Sequence, residues 1–301
     1  MKEIPSPIVY KSISELMRDM DMPKPLHPLV ALVNYEREKG GRELAGQKFL
    51  IDFYKISFKK EFSGQIKYGQ GYYDFEEGGM AFLAPNQLIT MSTDENCLEG
   101  YTLFFHADLI RNYPLGKNIQ QYGFFTYAVN EALFLSDKEK KVIAGLFENI
   151  ADELNNNTDA FSQDVLVSQI ELLLNYSNRF YNRQFLTRKA IHHDLISQMD
   201  TYLEARFANQ SGGIPTVPEV AKHLQVSPRY LTDMLKSLTG QSAQQHIHDR
   251  LIEKAKMILS STRLTVAEIA YQLGFEHPQS FNKLFKRQTN LSPNVFRKSF
   301  N

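Results

Sequence analysis

At 301 residues, with 43% hydrophobic and 23% charged residues, the chain is long enough for two domains of ordinary globular composition, and collagen-like, disulfide-scaffold and disordered classes are excluded. Cys97 is the single cysteine, so no internal disulfide and no multi-thiolate metal site can form, and it is read as a small buried apolar residue. The formal net charge is zero, which argues against a nonspecific nucleic-acid coat, but the balance is uneven: Asp194 to the end holds 13 Lys and Arg against 9 Asp and Glu, +4 there and −4 elsewhere.

Met1 to Met20 lacks the basic start and unbroken apolar run of a secretory signal, and no segment approaches the roughly 18 apolar residues of a membrane span. A cytoplasmic location with no membrane partner is expected. Ser12 and Glu15 form a capping-box pattern ahead of Ile13, Leu16, Met17 and Met20 at helical spacing, which predicts a short first helix ended by the Pro-rich stretch Met22 to Pro28. From about Gln47 to Phe105 the period changes. Phe49, Ile51 and Phe53 alternate, as do Ile56 and Phe58, and Ser63-Gly64, Gly69, Gly71, Gly78-Gly79 and Pro85-Asn86 punctuate the run, so several short strands in a small sandwich or barrel are expected.

A second capping-box pattern, Ser136 with Glu139, opens a helix whose Val142, Ile143, Leu146, Phe147, Ile150 and Leu154 share one face, and Asn155 to Asn157 stops it. The next helix, about Ser162 to Tyr181, has one stripe of Leu166, Ile170, Leu173 and Leu174, widened by Val165, Leu172 and Tyr176. That second stripe must bury against the β domain or against the same helix of a second copy, giving a homodimer. Asn182 to His193, with Arg183, Arg188 and Lys189, reads as a basic connector. The expected division is 1–135, a β domain; 136–193, a helical pair and connector; and 194–301, an all-helical domain.

The last part of the chain repeats itself. Val217-Pro-Glu-Val-Ala-Lys-His-Leu224 aligns with Val266-Ala-Glu-Ile-Ala-Tyr-Gln-Leu273 at an offset of 49. Beyond the following turn the offset is 50: Pro228 with Pro278, Leu231 with Phe281, Met234 with Leu284, Leu235 with Phe285, Lys236 with Lys286, Thr239 with Thr289 and Ser242 with Ser292. Each copy is a short helix with an inner Ala (Ala221, Ala270), a tight turn and a second helix with apolar residues at i, i+3 and i+4, the pattern of a helix-turn-helix. Gly274 suits the second turn, and Ser227-Pro228 is a helix start.

With the apolar residues inward, the outward face of the first probe helix is Arg229, Tyr230, Thr232, Asp233 and Lys236. That of the second is Gln279, Ser280, Asn282, Lys283, Lys286 and Arg287. Arg and Lys can pair with guanine and Gln and Asn with adenine, so Arg229, Tyr230, Thr232, Asp233, Gln279, Ser280, Asn282 and Lys283 are candidates for base reading. Ser227, Lys236, Lys286 and Arg287 are candidates for phosphate. His277 to Asn301, with Lys283, Lys286, Arg287, Arg297 and Lys298 and no acid, adds positive charge for a polyanion. Ser242 to about Ser260 reads as one amphipathic helix bracing the two copies, about 34 Å apart on one side of a duplex.

Ile269-Ala270, Gly274-Phe275, Ser280-Phe281, Phe285-Lys286, Ser292-Pro293 and Phe296-Arg297 together resemble the signature of the AraC/XylS family of bacterial transcription regulators. The resemblance covers about Asp194 to Phe300. One departure is Asn290 in place of the usual glycine, and Asn also accepts the left-handed conformation expected there. The resemblance implies an α+β chain: an N-terminal cupin-like β-barrel or jelly roll, a helical dimerisation and connector segment, and a C-terminal all-α domain with two helix-turn-helix units joined by a long helix. It implies sequence-specific binding to double-stranded promoter DNA, RNA polymerase as a further partner, and a small effector or a partner subunit at the N-terminal domain. At Asp233 a carboxylate repels phosphate, so a cytosine amino group or no contact is expected there.

The rival is a cupin-like, metal-dependent enzyme with a DNA-binding tail. A metal site needs two or three His with a carboxylate converging from strands, and the β region supplies His106 alone, while Asp52, Asp74, Glu76 and Glu77 read as solvated or turn residues. His192-His193 lie in the connector and His246 and His248 point apart on one helix. No phosphate-cradling loop or nucleophile elbow is present, and Gly69 and Gly71 read as a hairpin. No catalytic residue, cofactor or metal is expected.

Overall fold

The computed structural model describes residues 7–36, 48–63, 65–68, 71–74, 78–90, 96–128, 131–157, 159–208 and 213–299. It is a mixed α+β chain that divides into two compact units, Met1–Gln184 and Phe185–Asn301.

The first unit runs β1 (Ile8–Tyr10), α1 (Ile13–Asp19), β2 (Val30–Asn34), β3 (Lys48–Ile51), β4 (Tyr54–Ser63), β5 (Gln65–Tyr68), β6 (Gly71–Asp74), β7 (Gly79–Leu83), β8 (Leu88–Thr90), β9 (Asn96–Phe105), α2 (Ala107–Ile110), α3 (Pro114–Asn118), β10 (Leu133–Phe134), α4 (Asp137–Asn155) and most of α5 (Ser162–Thr187). Strands β1, β3 and β8 form one sheet and β10, β7, β4, β9 and β2 a second, while β5 and β6 pair with each other. Phe49, Ile51 and Ile89 from the small sheet meet Ala31, Val33 and Phe104 from the large one, and α1 closes this core with Ile13, Leu16 and Met17. The Ser12 hydroxyl accepts from the Glu15 N–H at 3.2 Å, the N-cap that the Ser12/Glu15 spacing predicts. β2 was not legible as a strand. Its Val30, Ala31 and Val33 are all buried, so the alternation of a half-exposed strand is missing.

On the other face of the large sheet Phe58 and Tyr101 stack on Phe147 of α4, at 5.9 and 5.3 Å between ring centroids. The capping box Ser136/Glu139 opens α4 as expected, and Glu139 also holds Arg183 of α5 at 2.6 Å. Arg183 is therefore a structural ion pair within this unit. On α5 the stripe Leu166, Ile170, Leu173 and Leu174 is buried, whereas Val165 and Leu172 are exposed. Tyr68 pairs with Gly71, as strands flanking a hairpin should; residues 69–70, Glu76, Glu77 and the Cys97 side chain lie outside the described residues.

The connector expectation is corrected. α5 continues to Thr187 and α6 (Lys189–Ala208) starts two residues later, so 182–193 is almost wholly helical. His192, Met199, Leu203 and Phe207 form the buried stripe of α6, and a histidine at its head disguised the apolar pattern. After α6 come α7 (Val217–His223), α8 (Pro228–Thr239), α9 (Ala243–Ser261), α10 (Val266–Gln272), α11 (Pro278–Thr289) and α12 (Pro293–Lys298). α7 packs on α8, α10 packs on α11, and both pairs rest on α9 through its buried Ile247, Leu251, Ile252, Ala255, Ile258 and Leu259. Among the described residues no helix is long and apolar enough to cross a membrane.

Candidate nucleic-acid interface

The duplication in sequence extends to the hydrogen bonds. Thr216 and Glu219 form a capping box at the start of α7, and Thr265 and Glu268 form the same box at the start of α10. In both boxes the threonine backbone N–H, donating to the carboxylate, holds that glutamate below the ordinary carboxylate range. Each turn closes through the same bonds: Val226 N–H to Ala221 C=O and Phe275 N–H to Ala270 C=O, both 3.0 Å. Gln225 in the first turn and Gly274 in the second both have positive φ, 58° and 87°. At Gly274 the glycine is required, because a Cβ there would sit 2.7 Å from the Gly213 carbonyl carbon. The second probe helix likewise ends in a left-handed residue, Asn290 at φ 60°, where Gly240 at 77° ends the first.

Each pair thereby presents the N-terminal half of a twelve-residue helix. On α11, Phe281, Leu284 and Phe285 are buried, while Gln279, Ser280, Asn282, Lys283, Lys286 and Arg287 are exposed. No acid lies on this helix, so its three cations give it a local charge of +3. On α8, Leu231, Met234 and Leu235 are buried and Arg229 and Lys236 are exposed. Arg229 Nε donates to Asp233 Oδ2 at 2.8 Å, four residues on, an intrahelical ion pair. Thr232 is half-buried and its hydroxyl donates to the Pro228 carbonyl at 3.0 Å. The Ser227 hydroxyl accepts from Tyr230 N–H at 3.2 Å as the N-cap of α8.

Tyr230 is corrected outright. It is 8% exposed, its hydroxyl lies 3.2 Å from His192 Nε2, and its ring meets Phe185 edge-on at 5.3 Å. It lies on the buried face of α8 and not on the outward one. The spacing held the signal: Tyr230 stands four residues before Met234, hence on the buried face. His192, with Nδ1 2.9 Å from the Phe185 carbonyl, was read as part of a connector and is instead 1% exposed; burial holds its pKa below the ordinary 6.5. Arg297 is also redirected. Its guanidinium donates to the Leu264 carbonyl at 2.6 Å and the Leu259 carbonyl at 3.3 Å, tying α12 to the end of α9 instead of lying open to a polyanion.

The other histidines weighed as ligands have different partners. His106 caps α2, its Nδ1 accepting from Asp108 N–H at 3.2 Å, and His246 lies 2.9 Å from Asp200 Oδ1. Among the described residues no three His, Cys, Asp or Glu side chains gather as a metal site.

Residues 220–299 match a family model described as a helix-turn-helix domain. The C-terminal region thus carries a helix-turn-helix domain. The chain is 28% identical over 181 residues to the HTH-type transcriptional activator RhaS of Salmonella schwarzengrund (strain CVM19633), 59% of this chain and 60% of that one. The arabinose operon regulatory protein of Escherichia coli (strain K12) is 33% identical over 81 residues, 27% of this chain and 28% of that one. Among solved structures, the C-terminal domain of AraT, a response regulator from Geobacillus stearothermophilus, is 31% identical, covers 35% of this chain and 84% of that one, and gives a TM-score of 0.32. The chain thus spans about 60% of the length of the RhaS relatives it matches.

Proposed function

We propose that this protein is a sequence-specific DNA-binding regulator of transcription that sets α8 and α11 into successive major-groove segments of promoter DNA. The observation that carries the reading is the pair of helix-turn-helix units, whose first helices open on the same capping box, whose turns close through the same bond, and whose second helices each expose side chains that can address base edges. In this reading Gln279, Ser280, Asn282 and Lys283 read bases from α11. Arg229 and Thr232 do so from α8, with Asp233 orienting the Arg229 guanidinium. Lys236, Lys286 and Arg287, further along each helix, hold phosphates. The relatives' names, an activator and an operon regulator, support promoter DNA and RNA polymerase as partners.

The N-terminal unit we read as a cupin-like jelly roll that receives a small effector or pairs subunits; its two sheets around one core support the first part. Val165 and Leu172, exposed and seven residues apart on α5, support a homodimer contact there. The test is a titration of the full chain against duplexes selected from a random pool. The selected duplex should bind on the order of a thousandfold tighter than random DNA, with affinity falling steeply as salt rises. Equal affinity for selected and random duplexes would remove the reading.

A further inference from the structure

Helix α9 carries three polar side chains, within one turn, that the proposed reading surface does not use. His246 and Arg250 both face Asp200 of α6: His246 Nε2 lies 2.9 Å from Oδ1, and Arg250 pairs with Oδ2. Asp249, between them in sequence, makes a different connection. Its Oδ2 accepts from Gln241 Nε2 at 2.8 Å and its Oδ1 accepts from Gln288 Nε2 at 3.2 Å. Gln241 follows Gly240, the left-handed residue that ends α8, and Gln288 stands in the last turn of α11. A single carboxylate thus takes a hydrogen bond from the C-terminal end of each probe helix, and bonds to an ionised acceptor are the stronger kind.

The place of this bridge gives it leverage. Gln288 is nine residues from Gln279, about 13 Å along the helix axis at 1.5 Å per residue. A small rotation allowed at the C-terminal end becomes a displacement of several ångströms at the N-terminal half, where the reading residues stand. The apolar face of α9 holds the two pairs together, but apolar packing is non-directional, whereas two hydrogen bonds to opposite oxygens of one carboxylate fix an angle.

We propose that Asp249 is a positioning residue that sets the separation and phase of α8 and α11, and thereby how strictly the protein discriminates the spacing between two half-sites. This rests on the DNA-binding reading above. The test compares wild type and Asp249→Ala, as full chains, on the selected site and on the same site with one base pair inserted or removed between its halves, a change of about 3.4 Å and roughly 35° in phase. Wild type should lose on the order of tenfold on either altered site, while D249A should lose less than about threefold between sites and bind the selected one more weakly. A D249A profile weakened by one common factor on all three duplexes would overturn the proposal, because a loss of folded protein lowers them together. Gln288→Ala removes one arm from an exposed side chain; if D249A fails to fold, the spacing profile of Q288A decides, relaxed in favour and unchanged against. A wild type with no preference over random DNA would overturn the DNA-binding reading itself. A wild type that discriminates spacing, with variants that discriminate equally well, would overturn the clamp alone.

Discussion

Between α8 and α11 three buried residues correspond, Leu231 with Phe281, Met234 with Leu284 and Leu235 with Phe285, while buried Tyr230 stands opposite exposed Ser280 and the outward residues do not correspond except at Lys236 and Lys286. α11 offers three cations and no acid; α8 has Arg229 and Lys236 with Asp233 drawing one of them into an ion pair. Repetition of the core fixes the same scaffold twice, and in the proposed function divergence of the surface lets each copy address different bases. In the proposed reading α11 supplies more of the salt-dependent grip, whereas α8 contributes a guanidinium held in one orientation.

The largest effects should fall where the copies agree. Phe281→Ala and Leu231→Ala each empty a fully buried site and should cost about 3 to 5 and about 2 to 5 kcal/mol of stability, read by urea melts. A much smaller loss at one of them would show that the two pairs are not equivalently packed. Gly274→Ala meets both a positive φ and a backbone approach of 2.7 Å, and should cost about 1 to 3 kcal/mol, while Gln225→Gly at the matching turn should be neutral or slightly stabilising.

The next effects should separate the copies. Lys283→Ala, Gln279→Ala and Arg229→Ala should each lose about 1 to 3 kcal/mol of binding on the selected site with little change on random DNA. Equal losses on both would make them backbone contacts. Lys286→Ala and Arg287→Ala should weaken every duplex alike and each lower the slope of log K against log salt by about 1. Lys236→Ala, which removes the exposed cation of α8 proposed to hold a phosphate, should do the same once.

Smaller still is a dependence on pH. Burial lowers the folded-state pKa of His192 below its ordinary 6.5, so the unfolded chain takes up a proton more readily than the folded one. Its contribution to stability is complete above about pH 6.5 and is lost as pH falls through that value toward the folded pKa. His192→Gln should flatten the part of the stability profile just below the ordinary histidine value of 6.5 in urea melts; an unchanged slope would show that His192 does not set it. Glu219 and Glu268, shifted down by their capping boxes, act only at lower pH, as pH falls below their ordinary value of 4.5.

Much of the C-terminal unit was legible because local rules and tertiary demands agree there. The pairing of Val217–Leu224 with Val266–Leu273, the extra residue in the second turn and the inward triplets of α8 and α11 all follow from spacing alone. Errors arose where a polar or amphipathic residue occupies an apolar position. His192 at the head of the α6 stripe made a helix read as a connector, and Tyr230, whose hydroxyl finds that histidine inside the fold, read as a surface residue. Arg297 has the sequence signature of available charge, but its guanidinium is taken up by backbone carbonyls that no local pattern announces. Bonds such as Asp249 to Gln241 and Gln288 join residues 8 and 39 positions apart, and no local pattern encodes them. β2 was missed for the opposite reason, since burial on both faces erases the period of two.

The most direct measurement is hydroxyl-radical footprinting of the full chain on its selected site, combined with base-by-base substitution of that site for wild type, Arg229→Ala and Lys283→Ala. Two protected segments about one helical turn apart on the same side of the duplex are predicted, with R229A losing discrimination in one segment and K283A in the other. A single protected segment, or both variants altering the same base pairs, would contradict the two-helix account.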